Sequence, residues 1–212
     1  MIKLVVLISG QGSNLQAIID AITQQQLDAS IELVISNRPA AMGLTRAKQA
    51  GIDTLVLDHK LYATAAAYDA ALLPYLTQHS PDLIVLAGFM RILGPTLIQQ
   101  FPGRIVNIHP SLLPKFPGLH TYQQVLAAKE TEHGITIHFV TETVDAGPII
   151  AQSSFPIHSD QETVETLKSR THALEHQLYP QILQWYAQGQ FDWCQNAVVW
   201  RNNRKSLYYP IQ

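Results

Sequence analysis

Cysteine is nearly absent: Cys194 is the only one in 212 residues. A single thiol excludes an internal disulfide framework and any zinc site built on a cysteine cluster. Charge is sparse too. Asp, Glu, Lys and Arg make up 14% of the chain against 47% apolar residues, the reverse of the balance that keeps a chain disordered. Neither sign dominates: 14 Lys and Arg stand against 16 Asp and Glu, for a net charge of −2. No basic surplus exists to neutralise a run of phosphates, so no nucleic-acid partner is expected. No apolar run approaches the ~18 residues of a membrane span, so no membrane partner is expected either. The opening run from Ile2 to Ile8 is too short for a signal peptide, and no small-x-small cleavage site follows it. We expect a soluble cytoplasmic protein, long enough for one domain with a sizeable core.

What is present is an alternation of two patterns. Short β-branched and leucine runs at 2–8, 31–36, 53–57, 82–87 and 104–108 predict strands. Between them, Leu15, Ile18, Ile19 and Ile22 recur at helical spacing, and 42–50 and 63–78 read as further helices. Gly51 is a stop for the second of these, and Pro74 predicts a kink in the third. Alternating strands and helices imply an α/β fold, with a mostly parallel sheet and helices on both faces. Beyond His109 come a proline-rich loop to Gly118, a short helix at 122–129, strands at 135–141 and 148–155, and a turn at 143–147. A long helix follows at 163–187, with Pro180 predicted to bend it, and then a hairpin around Asn202-Asn203. No repeat, low-complexity tract or linker divides the chain.

Gly10-Gln11-Gly12 falls between the first strand and the first helix. Glycine lets such a turn tighten and lets backbone N–H groups approach an anion, which the helix N-terminus also favours. Ser13 and Asn14 can cap that helix or bond the same anion. A dinucleotide fingerprint needs a third glycine, where Leu15 stands, and an acid after the second strand, where Ser36-Asn37-Arg38 stands. NAD is therefore disfavoured, and the turn is either a site for one phosphate or a plain tight turn.

Asn107-Ile108-His109-Pro110 is the most informative stretch. Residues i and i+2 of a strand share a side, so Asn107 and His109 project together. Pro110 places them at the strand's carboxyl end, where open α/β sheets bind ligands. An amide aimed with an imidazole suits acyl chemistry: one donates to a developing oxyanion and the other moves protons. The alternative is a hydrogen-bonded core histidine beside an Asn turn. Asp145, in Thr143-Val144-Asp145-Ala146-Gly147, either bonds its own turn or, if it reaches His109, favours the imidazolium. Other patterns carry less. His172-Ala173-Leu174-Glu175-His176 matches H-x-x-E-H, but only Asp192 and Cys194 follow as a further ligand, so no metal is expected. Ser111 lacks the Gly-x-Ser-x-Gly elbow of serine hydrolases. Trp200, Arg201, Arg204, Lys205, Tyr208 and Tyr209 mix basic and aromatic residues, better read as a solvated terminal hairpin than as an RNA surface. His120, His133 and His138 lie near the proline-rich loop with no role decided.

Three segments together resemble the folate-dependent formyltransferases: Leu86-Ala87-Gly88-Phe89-Met90-Arg91-Ile92-Leu93, Asn107-Ile108-His109-Pro110-Ser111-Leu112-Leu113-Pro114, and Asp145-Ala146-Gly147-Pro148. Ile8-Ser9-Gly10-Gln11-Gly12-Ser13-Asn14-Leu15 narrows the likeness to the branch that formylates glycinamide ribonucleotide. The resemblance weakens after about Gly189. It implies a Rossmann-like formyltransferase fold with a twisted sheet, as a single domain over 1–212. Its halves would be a phosphate-binding part at 1–100 and a folate and catalytic part at 101–188, followed by a tail hairpin at 189–212. It implies transfer of the formyl group of 10-formyltetrahydrofolate to the amine of glycinamide ribonucleotide in purine biosynthesis, without metal or covalent enzyme intermediate. Asn107 would hold the formyl oxygen, His109 would act as general acid, and Asp145 would keep His109 protonated. Gly12, Ser13 and Asn14 match the site for the ribonucleotide phosphate. The segment His172, Ala173, Leu174, Glu175 borders the ribose, with Glu175 on its hydroxyls. Met90, Arg91, Ile92 and Leu93 match the folate pocket, with Asn107 at its end and Thr141, Glu142, Thr143, Val144 and Asp145 opposite. A monomer or weak homodimer is expected. Another folate-dependent formyltransferase or a formyltetrahydrofolate hydrolase is the alternative. A tRNA-directed member would carry an extra C-terminal domain and a basic surface, and a hydrolase an extra N-terminal domain, so neither fits 212 residues without basic excess. Two departures from the family pattern stand out: Ala65 where an arginine is usual upstream of Tyr68-Asp69, and Ile135 after Gly134 where a small or polar residue is more common.

Overall fold

β1 (Ile2–Ile8) divides its apolar residues between two cores. Leu4, Val6 and Ile8 pack with one helical layer, Val5 and Leu7 with the other, as the two-residue period of a strand buried on both faces requires. A computed structural model describes residues 1–157 and 162–201, and the backbone of 207–210. After β1 come α1 (Ser13–Thr23), β2 (Ala29–Ser36), α2 (Met42–Gln49), β3 (Thr54–Val56), a 3₁₀ turn (His59–Leu61), α3 (Ala65–His79) and β4 (Leu83–Leu86). Then follow α4 (Pro95–Gln100), β5 (Ile105–His109), α5 (Thr121–Ala127), β6 (Glu132–Phe139), β7 (Ile149–Pro156), α6 (Val164–Ala187), β8 (Phe191–Cys194), β9 (Ala197–Trp200) and β10 (Leu207–Pro210).

Eight strands form one sheet in the order β10-β7-β6-β5-β4-β1-β2-β3. The pairings are parallel except β5–β6 and β6–β7, so β6 alone runs against the rest among the described residues. β6 follows β5 through the proline-rich loop and the seven-residue α5, and lies antiparallel to it. α1, α2 and α6 cover one face, α3 and α4 the other. Tyr179 of α6 is fully buried, and its hydroxyl lies 3.1 Å from the Leu86 carbonyl and 3.2 Å from that of Val106, tying α6 to β4 and β5.

Two elements lie outside what the sequence pattern predicts. α4 was not expected. It is six residues long, too short for a periodic signal, and starts with Pro95 at its first turn, where the missing N–H costs nothing. The terminal hairpin is β8–β9, turning at Gln195 and Asn196, both with positive φ; the predicted turn at Asn202-Asn203 lies outside the described residues. Pro74 and Pro180 both sit inside continuous helices. Ile135 is fully buried in the sheet's larger core, which accounts for an apolar residue there.

Candidate active site

The carboxyl ends of β1, β4 and β5 meet at one edge of the sheet, and the sequence ends each strand there for a local reason. β1 gives way to the Gly10-Gln11-Gly12 turn. Gly12 takes φ +71°, and a Cβ on it would stand 2.6 Å from the Gly43 Cα, so only glycine fits both the conformation and the contact with α2. Gly12 is the N-cap of α1, with no side-chain cap and no acid in the first turn. Of the two roles open to Ser13 and Asn14, capping of α1 is not the one seen. Asn14 instead reaches across to α6, its Nδ2 donating to Glu175 Oε2 at 2.9 Å, while its Oδ1 is buried without a partner. Burial pushes the Glu175 carboxyl up to about 7, against the opposing effects of the Asn14 hydrogen bond and Lys168.

β5 ends at His109, and the geometry brings Asn107, His109 and Asp145 together. His109 Nδ1 lies 3.3 Å from Asp145 Oδ2, with both side chains nearly enclosed. Its Nε2 lies 2.9 Å from the Phe116 carbonyl. Both ring nitrogens thus face acceptors, and an imidazolium satisfies both contacts where a neutral ring satisfies one. Asp145 sits at φ +52°, a conformation aspartate tolerates better than most residues, and its Oδ2 also accepts from the Gly118 N–H at 2.8 Å. The proline-rich loop and the 141–147 turn are therefore joined through one carboxylate.

His138 belongs to the same cluster. In the β5–β6 register Asn107 faces His138 and His109 faces Thr136. His138 Nδ1 donates to the Phe139 carbonyl at 2.9 Å. Burial holds this imidazole below its ordinary range and favours the neutral ring, outweighing the Phe139 hydrogen bond and Asp145. Its Nε2 lone pair then accepts from Asn107 Nδ2 at 3.3 Å, which fixes which way the amide faces. Thr136 closes the floor: its hydroxyl donates to the Ser111 carbonyl at 2.7 Å and accepts from the Leu113 N–H at 3.0 Å. The Ser111 hydroxyl is itself committed to the Lys115 carbonyl at 2.6 Å.

Residues 2–183 match the formyl transferase family. The chain belongs to that family. It is 44% identical over 196 residues to the phosphoribosylglycinamide formyltransferase of Escherichia coli strain K12, covering 92% of each chain. Against the enzyme of that name from Haemophilus influenzae it is 48% identical over 189 residues, covering 89% of each. The solved phosphoribosylglycinamide formyltransferase of Coxiella burnetii superposes with a TM-score of 0.89 at 49% identity, over 94% of this chain and 93% of that one. The mostly parallel α/β sheet is thus the formyl transferase fold.

Within this formyl transferase framework the expected site residues do not all face the same space. Met90, Ile92 and Val144 are exposed. Leu93, by contrast, is buried in the core beneath α3 and α4. Its side chain turns inward, toward that core. Arg91 lies 4.7 Å over the Tyr68 ring, with its Nε buried and unpartnered. On α6, Leu174 packs in the core and Ala173 faces solvent. Three-residue spacing leaves His172 and Glu175 on the face toward α1. Ala65 is exposed in the first turn of α3. Three contributors were missed or left undecided from sequence. Phe116 and Gly118 act through backbone atoms, which carry no residue-type signal. His138 had one: Thr136 and His138 alternate on a strand in the way Asn107 and His109 do.

Proposed function

We propose that this chain transfers the formyl group of 10-formyltetrahydrofolate to the amino group of glycinamide ribonucleotide, a step of purine biosynthesis. The convergence of Asn107, His109 and Asp145 at the end of β5 carries the reading. A flat folate ring system needs an apolar wall with polar groups at its rim, and the exposed Met90, Ile92 and Val144 beside Asn107 and Asp145 fit that need. When bound, the folate supplies the formyl carbon that the ribonucleotide amine takes. The Asn107 amide, one hydrogen held by His138, has the other to give to the formyl oxygen as it gains negative charge. His109 gives up the Nε2–H that now meets the Phe116 carbonyl, so that the folate nitrogen leaves protonated as its bond to the formyl carbon breaks. The proton lost by the attacking amine restores the ring, and the proline-rich loop must release its bond to His109 during turnover. Asp145 holds the ring in place and balances its charge. Gly12, Ser13 and Asn14 receive the phosphate on the uncapped turn of α1, and Glu175 takes the ribose hydroxyls. His172 lies on the same face.

The reading is tested by a steady-state assay with purified protein, glycinamide ribonucleotide and 10-formyltetrahydrofolate, with a chelator present. Consumption of the formyl folate that requires the ribonucleotide is the expected result. Equal consumption without the ribonucleotide would make the protein a hydrolase, and consumption abolished by the chelator would show that a metal takes part.

A further inference from the structure

A groove of about 550 Å³ runs between α1 and α6 beside the glycine turn, lined among others by Ser13, Gln16, Asp20, Arg46, Pro180 and His176. Arg46 enters from α2. Its Nε donates to the Gln11 carbonyl at 2.9 Å and its Nη1 to Gln16 Oε1 at 3.1 Å. These bonds fix a permanent positive charge beside the glycine turn. His176 lies across the groove with its Nε2 buried and unpartnered, and its ring stacks on His172 at 6.0 Å with 24° between planes. The Asn14–Glu175 bond anchors that turn of α6 against the start of α1.

We propose that Arg46 and His176 complete the phosphate site beside Gly12, Ser13 and Asn14, and that the stacked His172–His176 pair takes up a proton when the phosphate of the ribonucleotide docks. This rests on the ribonucleotide reading given above. The groups facing the pair set the sign. Burial holds His172 below the ordinary imidazole range, and Lys168 and His176 lower it further. Burial also holds His176 down, with Arg46 lowering it and Asp20 of α1 opposing. The cations around the pair thus discourage a further positive charge. A phosphate monoester, close to a dianion at neutral pH, reverses that balance and favours the charged ring. Between the two conditions the pair binds a proton that the ligand-free protein does not hold.

Histidine Cε1–H resonances followed against pH, with and without saturating glycinamide ribonucleotide, test this directly and need no variant to fold. The midpoint of His172 or His176 rises by about one pH unit or more, while His79, at the far end of α3, stays put. Unmoved midpoints at both positions, with the ribonucleotide visibly bound, overturn the proton uptake and leave the function standing. No perturbation of any resonance at millimolar ribonucleotide removes the ribonucleotide reading itself, and the proposal with it. For Arg46→Gln, ribonucleotide binding weakens tenfold or more with folate binding unchanged. An equal loss for both ligands, or none, refutes the assignment of Arg46.

Discussion

His109 has both nitrogens engaged, one by a carboxylate and one by a carbonyl, inside a nearly closed space. Removing the ring takes away a proton donor without touching the surfaces expected to hold either ligand. His109→Ala should lower turnover by ~10²–10⁴-fold, the usual cost of losing a general acid, while titration calorimetry still shows both ligands binding. Turnover at the parent rate would reject the mechanism. His138 works at one remove. It is a positioning residue, because its effect passes through the Asn107 amide. His138→Ala should cut kcat about 10-fold to 100-fold, in line with the cost of small misplacements in a reacting geometry, and leave both KM values within about twofold. His138→Gln, whose side-chain oxygen can accept from the amide, should recover part of kcat. A variant that loses kcat and KM together, with no recovery by Gln, would mean that His138 only holds the strand.

At the scale of elements, what matters is how two chain segments are pinned at the mouth of the site. The 141–147 turn borders an open groove of about 740 Å³, with Thr141, Glu142 and Thr143 on one side and Trp193 of the terminal hairpin on the other. It is held by the contacts of Asp145 with His109 and Gly118, by Gln99 Nε2 donating to Glu142 Oε1 at 2.7 Å, and by its base. Gly147 is buried there, and a Cβ on it would stand 1.8 Å from the Phe139 carbonyl, the end of β6. Gly147→Ala must displace the turn and, with it, Asp145. We expect about 1–3 kcal/mol of lost stability from overpacking and a rise in the folate KM larger than that for the ribonucleotide. Equal KM values before and after the substitution would show that the turn tolerates the shift and does not border the folate.

Over the whole molecule, two buried groups tilt stability in opposite directions across the same pH range. Burial pushes the Glu175 carboxyl up from 4.5 to about 7, so the folded chain holds that proton more tightly than the unfolded chain. Its contribution is present below the unfolded value and is lost as pH rises through about 7. Burial pushes His133 down from 6.5 to about 4, against the pull of Glu162. Its contribution is present above the ordinary imidazole range and is lost as pH falls toward 4. The two slopes offset each other near pH 5–6.5, and single substitutions should uncover them. Measured by denaturant unfolding from pH 6.5 to 5, Glu175→Gln should lose about 1–2 kcal/mol relative to the parent, and His133→Asn should gain a similar amount, at ~1.4 kcal/mol per proton per pH unit. Curves parallel to the parent's in both variants would show that neither group is shifted as its burial requires.

The residue order alone determined the layered α/β design, the ends of the strands and the pairing of Asn107 with His109. Each of these follows from local periodicity, and from glycine and proline at strand ends, which need no knowledge of distant residues. It also carried the family, because the Asn107–Pro114 run is contiguous. What it left open were matters of distance. Asp145 had either of two roles until the fold put it 3.3 Å from His109, far from it in the chain. Leu93 and Leu174 sat inside candidate segments, and packing alone showed that they face the core. The reversal of β6, which sets His138 opposite Asn107, is a matter of how distant strands pair. The meeting of Arg46, His176 and the glycine turn requires three helices to dock on one face of the sheet. Contacts of that kind are set by the geometry of packed layers, and no window of sequence contains them.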